Sequence, residues 1–286
     1  MDKKFLAILA LLMAGILVVA GCGDSSQESH DKGHEPGMDS DHNGHMNMNS
    51  GTGLSDMMNG YQLTIKNGPA AGAATPITFT IAKAGKTVTT FDREQTQLIH
   101  FYLIRSDLTG FQHLHPSMDH NGQWSVRPQT VTPGRYRIFT QFIPHADAKN
   151  GQIVLSTSAD VPGVGHDAAT LLPAPTLSTQ VDGYTVTIDT APKAGALTPL
   201  TLRVNTNSGA PVTDLQPYLD TYAHVTAFHE GDLAFSHLHP EGEVKGSGGP
   251  NLKLAAELPE KGKYGLFIQF QTHGQLHTAH LTVTAE

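Results

Sequence analysis

His113-Leu-His-Pro116 and His237-Leu-His-Pro240 are the same four residues met twice in one chain. Side chains alternate across a β-strand, so two imidazoles one residue apart point to the same face. The surrounding sequence repeats as well. Tyr61-Gln-Leu-Thr-Ile65 answers Tyr184-Thr-Val-Thr-Ile188, and Gly72-Ala-Ala-Thr-Pro76 answers Gly195-Ala-Leu-Thr-Pro199. Gly134-Arg-Tyr-Arg-Ile-Phe-Thr-Gln-Phe142 answers Gly262-Lys-Tyr-Gly-Leu-Phe-Ile-Gln-Phe270. His100 stands as far before His113 as His224 before His237, and His145 falls where His273 falls. Similarity in this order marks a duplicated domain, each copy of about 100 residues and large enough for its own core.

Strand signals fill both copies. Runs rich in Thr, Val, Ile, Phe and Tyr, broken by Gly, Pro, Asn and Asp, predict strands over Gln62–Lys66, Ile77–Ala82, Thr96–Arg105, Gly110–His115, Gln123–Val126, Arg135–Phe142 and Gln152–Ser158. The second copy predicts Thr185–Asp189, Leu200–Asn205, Tyr222–His229, Leu233–His239, Asn251–Glu257, Tyr264–Gln271 and Gln275–Thr284. Many short strands without a helical period point to an all-β chain: two tandem antiparallel β-sandwiches of immunoglobulin-like or cupredoxin-like type. The expected domains are residues 61–160 and 184–286. A proline-marked linker, 161–183, joins them, and its apolar stretch Val164–Leu172 is suited to packing between the domains.

Within each copy the histidines can be placed. Leu114 should enter the core, which leaves His113 and His115 on the opposite face. Pro116, with no N–H to donate, ends the pairing. The connection Ser106–Thr109 is short enough for a hairpin, and pairing Arg105 with Gly110 would set His100 opposite His115. Strands lie about 4.8 Å apart, so His100, His113 and His115 can converge on one ion, and His224, His237 and His239 likewise. His145 and His273 are candidate fourth ligands; Met118 and His120 are further donors in the first copy only. The alternative is that these imidazoles only hydrogen-bond to the scaffold.

The N-terminal region has a different character. Lys3 and Lys4 precede an apolar run, Phe5–Val18, and Val19-Ala-Gly-Cys22 follows. This resembles a bacterial lipoprotein signal, residues 1–21, with Cys22 the lipidated residue. The resemblance implies a chain tethered to a membrane outside the cytoplasm. Cys22 is the only cysteine, which excludes disulfides and a blue-copper thiolate centre. Residues 22–60 are poor in aliphatic side chains and are expected to be a disordered tail. That tail carries Asp24, Glu28, Asp31, Glu35, Asp39, Asp41 and Asp56 against Lys32 alone. The net charge of −8 argues against a nucleic-acid partner. The tail also holds His30, His34, His42 and His45 with Met38, Met46, Met48, Met57 and Met58. Thioethers gain little from water but suit Cu(I), which also accepts imidazole. Met46, Met48, His42 and His45 are the tail ligands expected here. In composition the tail resembles the His/Met-rich segments of bacterial copper and silver resistance proteins.

The string Leu108-Thr-Gly-Phe-Gln-His-Leu-His-Pro116, with His166–Leu172, Val212–Tyr218 and Gly231–Ala234, is similar to that of uncharacterised secreted bacterial proteins. More distantly the domains resemble small copper-handling β-sandwiches of the YtkA-like and CopC-like kind. That likeness implies an extracytoplasmic metal-binding protein, with copper the expected metal and zinc the second candidate. Its partners would be the membrane, through the lipid, and a protein that donates or accepts metal. The CopC-like N-terminal histidine ligand has no counterpart on a lipidated chain. Cupins share His-x-His, but the later histidine after their Pro-x-Gly turn is missing at Pro133-Gly134. No Gly-x-Ser-x-Gly elbow, His-Glu-x-x-His helix or phosphate loop is present, so no enzyme is expected. The rival expectation is a cell-surface interaction protein with scaffold histidines.

Overall fold

The structure is a computed structural model that describes residues 52–72, 75–164 and 171–286, without the side chain of His239. Cys22, His42, His45, Met46 and Met48 lie outside the described residues.

The first repeat contains β1 (Met57–Met58), β2 (Tyr61–Asn67), β3 (Ile77–Lys83), β4 (Lys86–Thr87), β5 (Phe91–Asp92), β6 (Ile99–Arg105), β7 (Gln112–Leu114), β8 (Ser117–Met118), β9 (Gln123–Val126), β10 (Gly134–Pro144) and β11 (Ile153–Val161). The second contains β12 (Ser178–Val181), β13 (Tyr184–Ile188), β14 (Leu197–Thr206), β15 (His224–His229), β16 (Phe235–Pro240), β17 (Asn251–Glu257), β18 (Gly262–Thr272) and β19 (Gln275–Ala285). All the ladders between these strands are antiparallel, and every strand expected from sequence is present. The chain is all-β and carries two antiparallel sandwich repeats.

In the first repeat one sheet runs β1-β2-β3-β9-β8 and the other β11-β10-β6-β7. Tyr61, Leu63, Ile77, Phe79, Ile81, Phe101, Leu103, Trp124 and Ile138 fill the space between them. Phe79 stacks between Phe101, at 5.5 Å, and Trp124, at 6.1 Å. In the second repeat the order is β12-β13-β14-β17-β16-β15-β18-β19, one sheet folded over a core of Val186, Leu202, Val225, Leu238, Leu254, Ile268 and Leu281.

The strands that carry the histidines are buried on both faces. On β6, Ile99, Phe101 and Leu103 point into the sandwich, while His100, Tyr102 and Ile104 occupy the other face and are just as buried. β15 is arranged the same way, with Val225 and Ala227 inward and His224, Thr226 and Phe228 outward. What covers these outer faces is the other repeat. Tyr102, Ile104, Leu108 and Phe139 of the first meet Phe228, Leu233, Phe235 and Phe267 of the second in one apolar cluster. The contacts are reciprocal. Phe111 lies 4.1 Å from Phe267, and its counterpart Phe235 lies 5.5 Å from Phe139.

Two expected boundaries shift. Residues 178–181, expected in the linker, form β12 and pair with β13. Of the apolar stretch Val164–Leu172, Leu172 is buried in the inter-repeat cluster and its N–H donates to Glu230, whereas Val164 and Leu171 are exposed and 165–170 lie outside the described residues. The fold also begins earlier than residue 61. The N–H of Phe235 donates to the Thr52 carbonyl and that of Ser156 to the Ser55 carbonyl, so this strap touches both repeats. Met57 and Met58 therefore belong to β1, and Met58 packs on the core instead of serving as a soft donor in the tail.

Candidate metal centre

The register of β6 and β7 decides which imidazoles meet. Phe101 pairs with Leu114, Tyr102 with His113 and Leu103 with Gln112. This is the register that the short connection implies, and continued by one pair it sets His100 across from His115. Leu114 leans on the sandwich core, and His113 faces the second repeat. His100, His113 and His115 each offer a ring nitrogen, and these atoms all lie within 4.8 Å of one another. In the second repeat Thr226 pairs with His237 and Val225 with Leu238, the corresponding register.

The two sets are not separate. The His224 ring is 5.6 Å from His100 and 4.4 Å from both His113 and His237. Five described imidazoles thus share one buried space at the junction. His239 pairs through its backbone with Ala255; its side chain lies outside the described residues.

Hydrogen bonds orient two rings of the first trio. His100 Nε2 is 3.1 Å from the Glu94 carbonyl, which can only accept, so Nε2 carries the proton. His113 Nδ1 is 2.8 Å from Oε1 of Gln269, whose amide nitrogen donates to Thr278. His113 Nδ1 therefore donates. His100 Nδ1 and His113 Nε2 are in hydrogen-bond contact at 3.0 Å. Two ring nitrogens at this spacing suit two ligands of one ion with metal–nitrogen bonds of about 2.0–2.1 Å. The third nitrogen, His115 Nε2, is buried and has no hydrogen-bond partner.

Burial favours the neutral form of His113 and His115. It holds His113 well below the usual imidazole range, with the neighbouring His100 and His115 adding to the effect and the Gln269 bond opposing it. Burial, then His100, pushes His115 down to about 4. Neutral imidazole is the form that binds metal. Beside them, burial pushes the Glu94 carboxyl up to about 7, and its Oε2 has no partner. Glu94 precedes a tight turn in which Gln95 and Thr96 have φ of 44° and 71°. The matching turn of the second repeat holds Leu219 and Asp220 at 55°. Non-glycine residues seldom take this region, and strain of this kind gathers at functional sites.

Two expected ligands lie elsewhere. His145 is exposed and bonds Asp92 at 2.6 Å, and His273 is exposed with Asp214 at 3.5 Å. Both follow the Gln-Phe strand ends, where the chain turns out to solvent, so neither joins the trio. Met118 packs on the first core. A second group, His229, Asp232 and Glu260, also brings three donors together. His229–Asp232 occupies the place of the Arg105–Asp107 ion pair in the first repeat, which identifies it as a turn-stabilising contact. Sequence reasoning missed Glu94, Gln141 and Gln269. The glutamine shared by Phe-Thr-Gln-Phe and Phe-Ile-Gln-Phe was the available signal.

No curated protein matches the chain. Among solved structures, it is similar to domains 4 and 5 of the S-layer protein SbsC at 11% identity, TM-score 0.22, covering 79% of this chain and 96% of that one. It is also similar to the fibronectin(III)-like modules of CbhA from Clostridium thermocellum at 11% identity, TM-score 0.20, covering 78% and 93%. The D00-D0 domain of intimin aligns at 11% identity, TM-score 0.22, covering 79% and 99%. A family model described as a domain of unknown function, DUF8832, matches twice, over residues 56–158 and 179–286. These two matches coincide with the two sandwich repeats, and the chain belongs to the DUF8832 family.

Proposed function

We propose that this chain is a membrane-tethered, extracytoplasmic metal-binding lipoprotein that captures, buffers or delivers copper. The observation that carries the reading is the convergence of three ring nitrogens from His100, His113 and His115 within 4.8 Å of one another, with the buried His115 Nε2 unpartnered. Nitrogen ligands suit copper and zinc alike. The His/Met-rich tail, through Met46, Met48, His42 and His45, favours copper, because thioether selects the softer ion. Cys22 anchors the chain in the lipobox reading. The tail then acts as a loose collector and the buried histidines as a tighter store, in exchange with a protein partner that donates or accepts metal.

The test is competition titration of the full chain with Cu(I) under reductant, and with Cu(II) and Zn(II), against the His115→Ala and His100→Ala/His113→Ala variants. Tight binding lost in the variants supports the reading. Binding no tighter than that of free histidine, or binding unchanged in the variants, overturns it for the domains.

A further inference from the structure

The glutamine that orients each histidine pair comes from the other repeat. Gln269 of β18 accepts from His113 Nδ1 at 2.8 Å, and its counterpart Gln141 of β10 donates to His237 Nδ1 at 3.0 Å. Gln141 is itself held, accepting from Tyr102 Oη at 3.2 Å and donating to Gln152. The imidazoles interleave in the same way, with His224 of the second repeat 4.4 Å from His113 of the first. Thr226 lies on the outer face of β15 beside His224 and across from His237, and its buried hydroxyl has no hydrogen-bond partner. Unfilled polar capacity is therefore present on both sides of the junction: His115 Nε2 on one, Thr226 Oγ1 on the other.

From this we infer that the histidines form one inter-repeat metal centre and not two independent domain sites, with Gln141 and Gln269 as positioning residues. The inference rests on the metal-binding reading above. Its ligands come from His100, His113 and His115 on one side and His224 on the other, with His237 packed against His224. Gln269, accepting from His113 Nδ1, turns His113 Nε2 toward the site, and Gln141, donating to His237 Nδ1, fixes the orientation of the His237 ring. A group that orients a ligand in this way is worth about 10–100-fold in metal affinity. Because the ligands come from both repeats, the bound ion ties the two sandwiches together.

Co(II) added to the full chain tests this, since intense visible bands report a tetrahedral buried site and weak bands report the hydrated tail. The wild type should show one such centre per chain. Gln269→Leu, in the second repeat, should weaken it about 10–100-fold and shift the bands although His100, His113 and His115 are untouched. Gln269→Glu keeps an acceptor for His113 Nδ1 and should restore binding, which a merely structural role would not predict. Near-ultraviolet circular dichroism of the metal-free variants checks that they fold. His224→Ala and His237→Ala should also alter the bands. If Gln269→Leu, His224→Ala and His237→Ala all bind Co(II) as the wild type does, or two independent centres titrate, the shared centre is overturned while metal binding stands. If the wild type gives no tetrahedral bands, the metal reading itself falls, and the shared centre with it.

Discussion

In the first repeat His-Leu-His-Pro interrupts a strand; in the second the strand runs through it. β7 stops at Leu114, and the chain re-enters the opposite sheet as β8 at Ser117. β16 continues from Phe235 to Pro240 and pairs with β15 at one end and β17 at the other, so the second repeat closes into a single sheet. The same four residues therefore tolerate two sheet geometries. What both repeats keep is the register against the preceding strand and the burial of the first histidine. The shared feature is the outer face of the hairpin, and that face is where the histidines meet. The walls around them differ. Tyr102 stacks on His113 at 4.4 Å, whereas its counterpart in the second repeat is Thr226.

The largest effect that sharpens this comparison concerns the leucine within the motif. Leu238 is fully buried in the second core, while Leu114 is half-buried at the edge of the first. Leu238→Ala should cost about 2–5 kcal/mol in urea unfolding, and Leu114→Ala about half as much or less. Equal costs would mean that the broken strand packs as tightly as the continuous one.

Next comes acid. His115 binds protons less readily folded than unfolded, so the unfolded chain takes up more protons between its ordinary pKa of 6.5 and about 4. Stability of the metal-free protein due to this group is present above 6.5 and is lost as pH falls toward 4. Its partial exposure limits the loss to roughly 2 kcal/mol. Glu94 acts in the opposite sense. Its raised pKa removes stability as pH climbs from 4.5 to about 7. The two slopes oppose each other over the same range, so between pH 4.5 and 6.5 His115→Ala should make stability, read from unfolding midpoints, fall more steeply with rising pH and Glu94→Gln should make it rise more steeply. Parallel profiles would refute the assignment.

A smaller contrast lies in the two walls. Tyr102→Phe gives up the bond to Gln141 and should cost about 1 kcal/mol. Thr226→Val removes a hydroxyl that has no partner, and should be neutral or stabilising without metal. Smallest of all, His145→Ala and His273→Ala should leave metal affinity unchanged and shift stability by no more than about 0.5 kcal/mol. A clear loss of affinity in either would return these histidines to the site.

Much of this was legible in the chain. Period-two alternation and turn residues placed the long strands, and the short Ser106–Thr109 connection set the register that brings His100 to the motif. The packing of the two repeats through their histidine-bearing faces was not read, although a trace of it existed. Ile99-His-Phe-Tyr-Leu-Ile104 does not alternate, and a near-continuous apolar run marks a strand buried on both faces. Gln141 and Gln269 could not be assigned from one repeat alone, because the partner of each lies in the other. The early start of the fold escaped because Thr52–Ser55 is held by backbone hydrogen bonds, which any sequence can make.

The exchange of glutamine for histidine across the junction has the form of an isologous dimer interface, where residue i meets j and j meets i. The chain is in effect a two-fold dimer with its subunits fused. A separate dimer would fall apart on dilution and take its junction with it; covalent linkage makes assembly independent of how many molecules are present. Fusion also releases the halves from identity. Thr226 could diverge from Tyr102, and Tyr218 from Glu94, so that one side of a formerly symmetric cavity differs from the other. A self-paired homodimer cannot make such a change on one side alone.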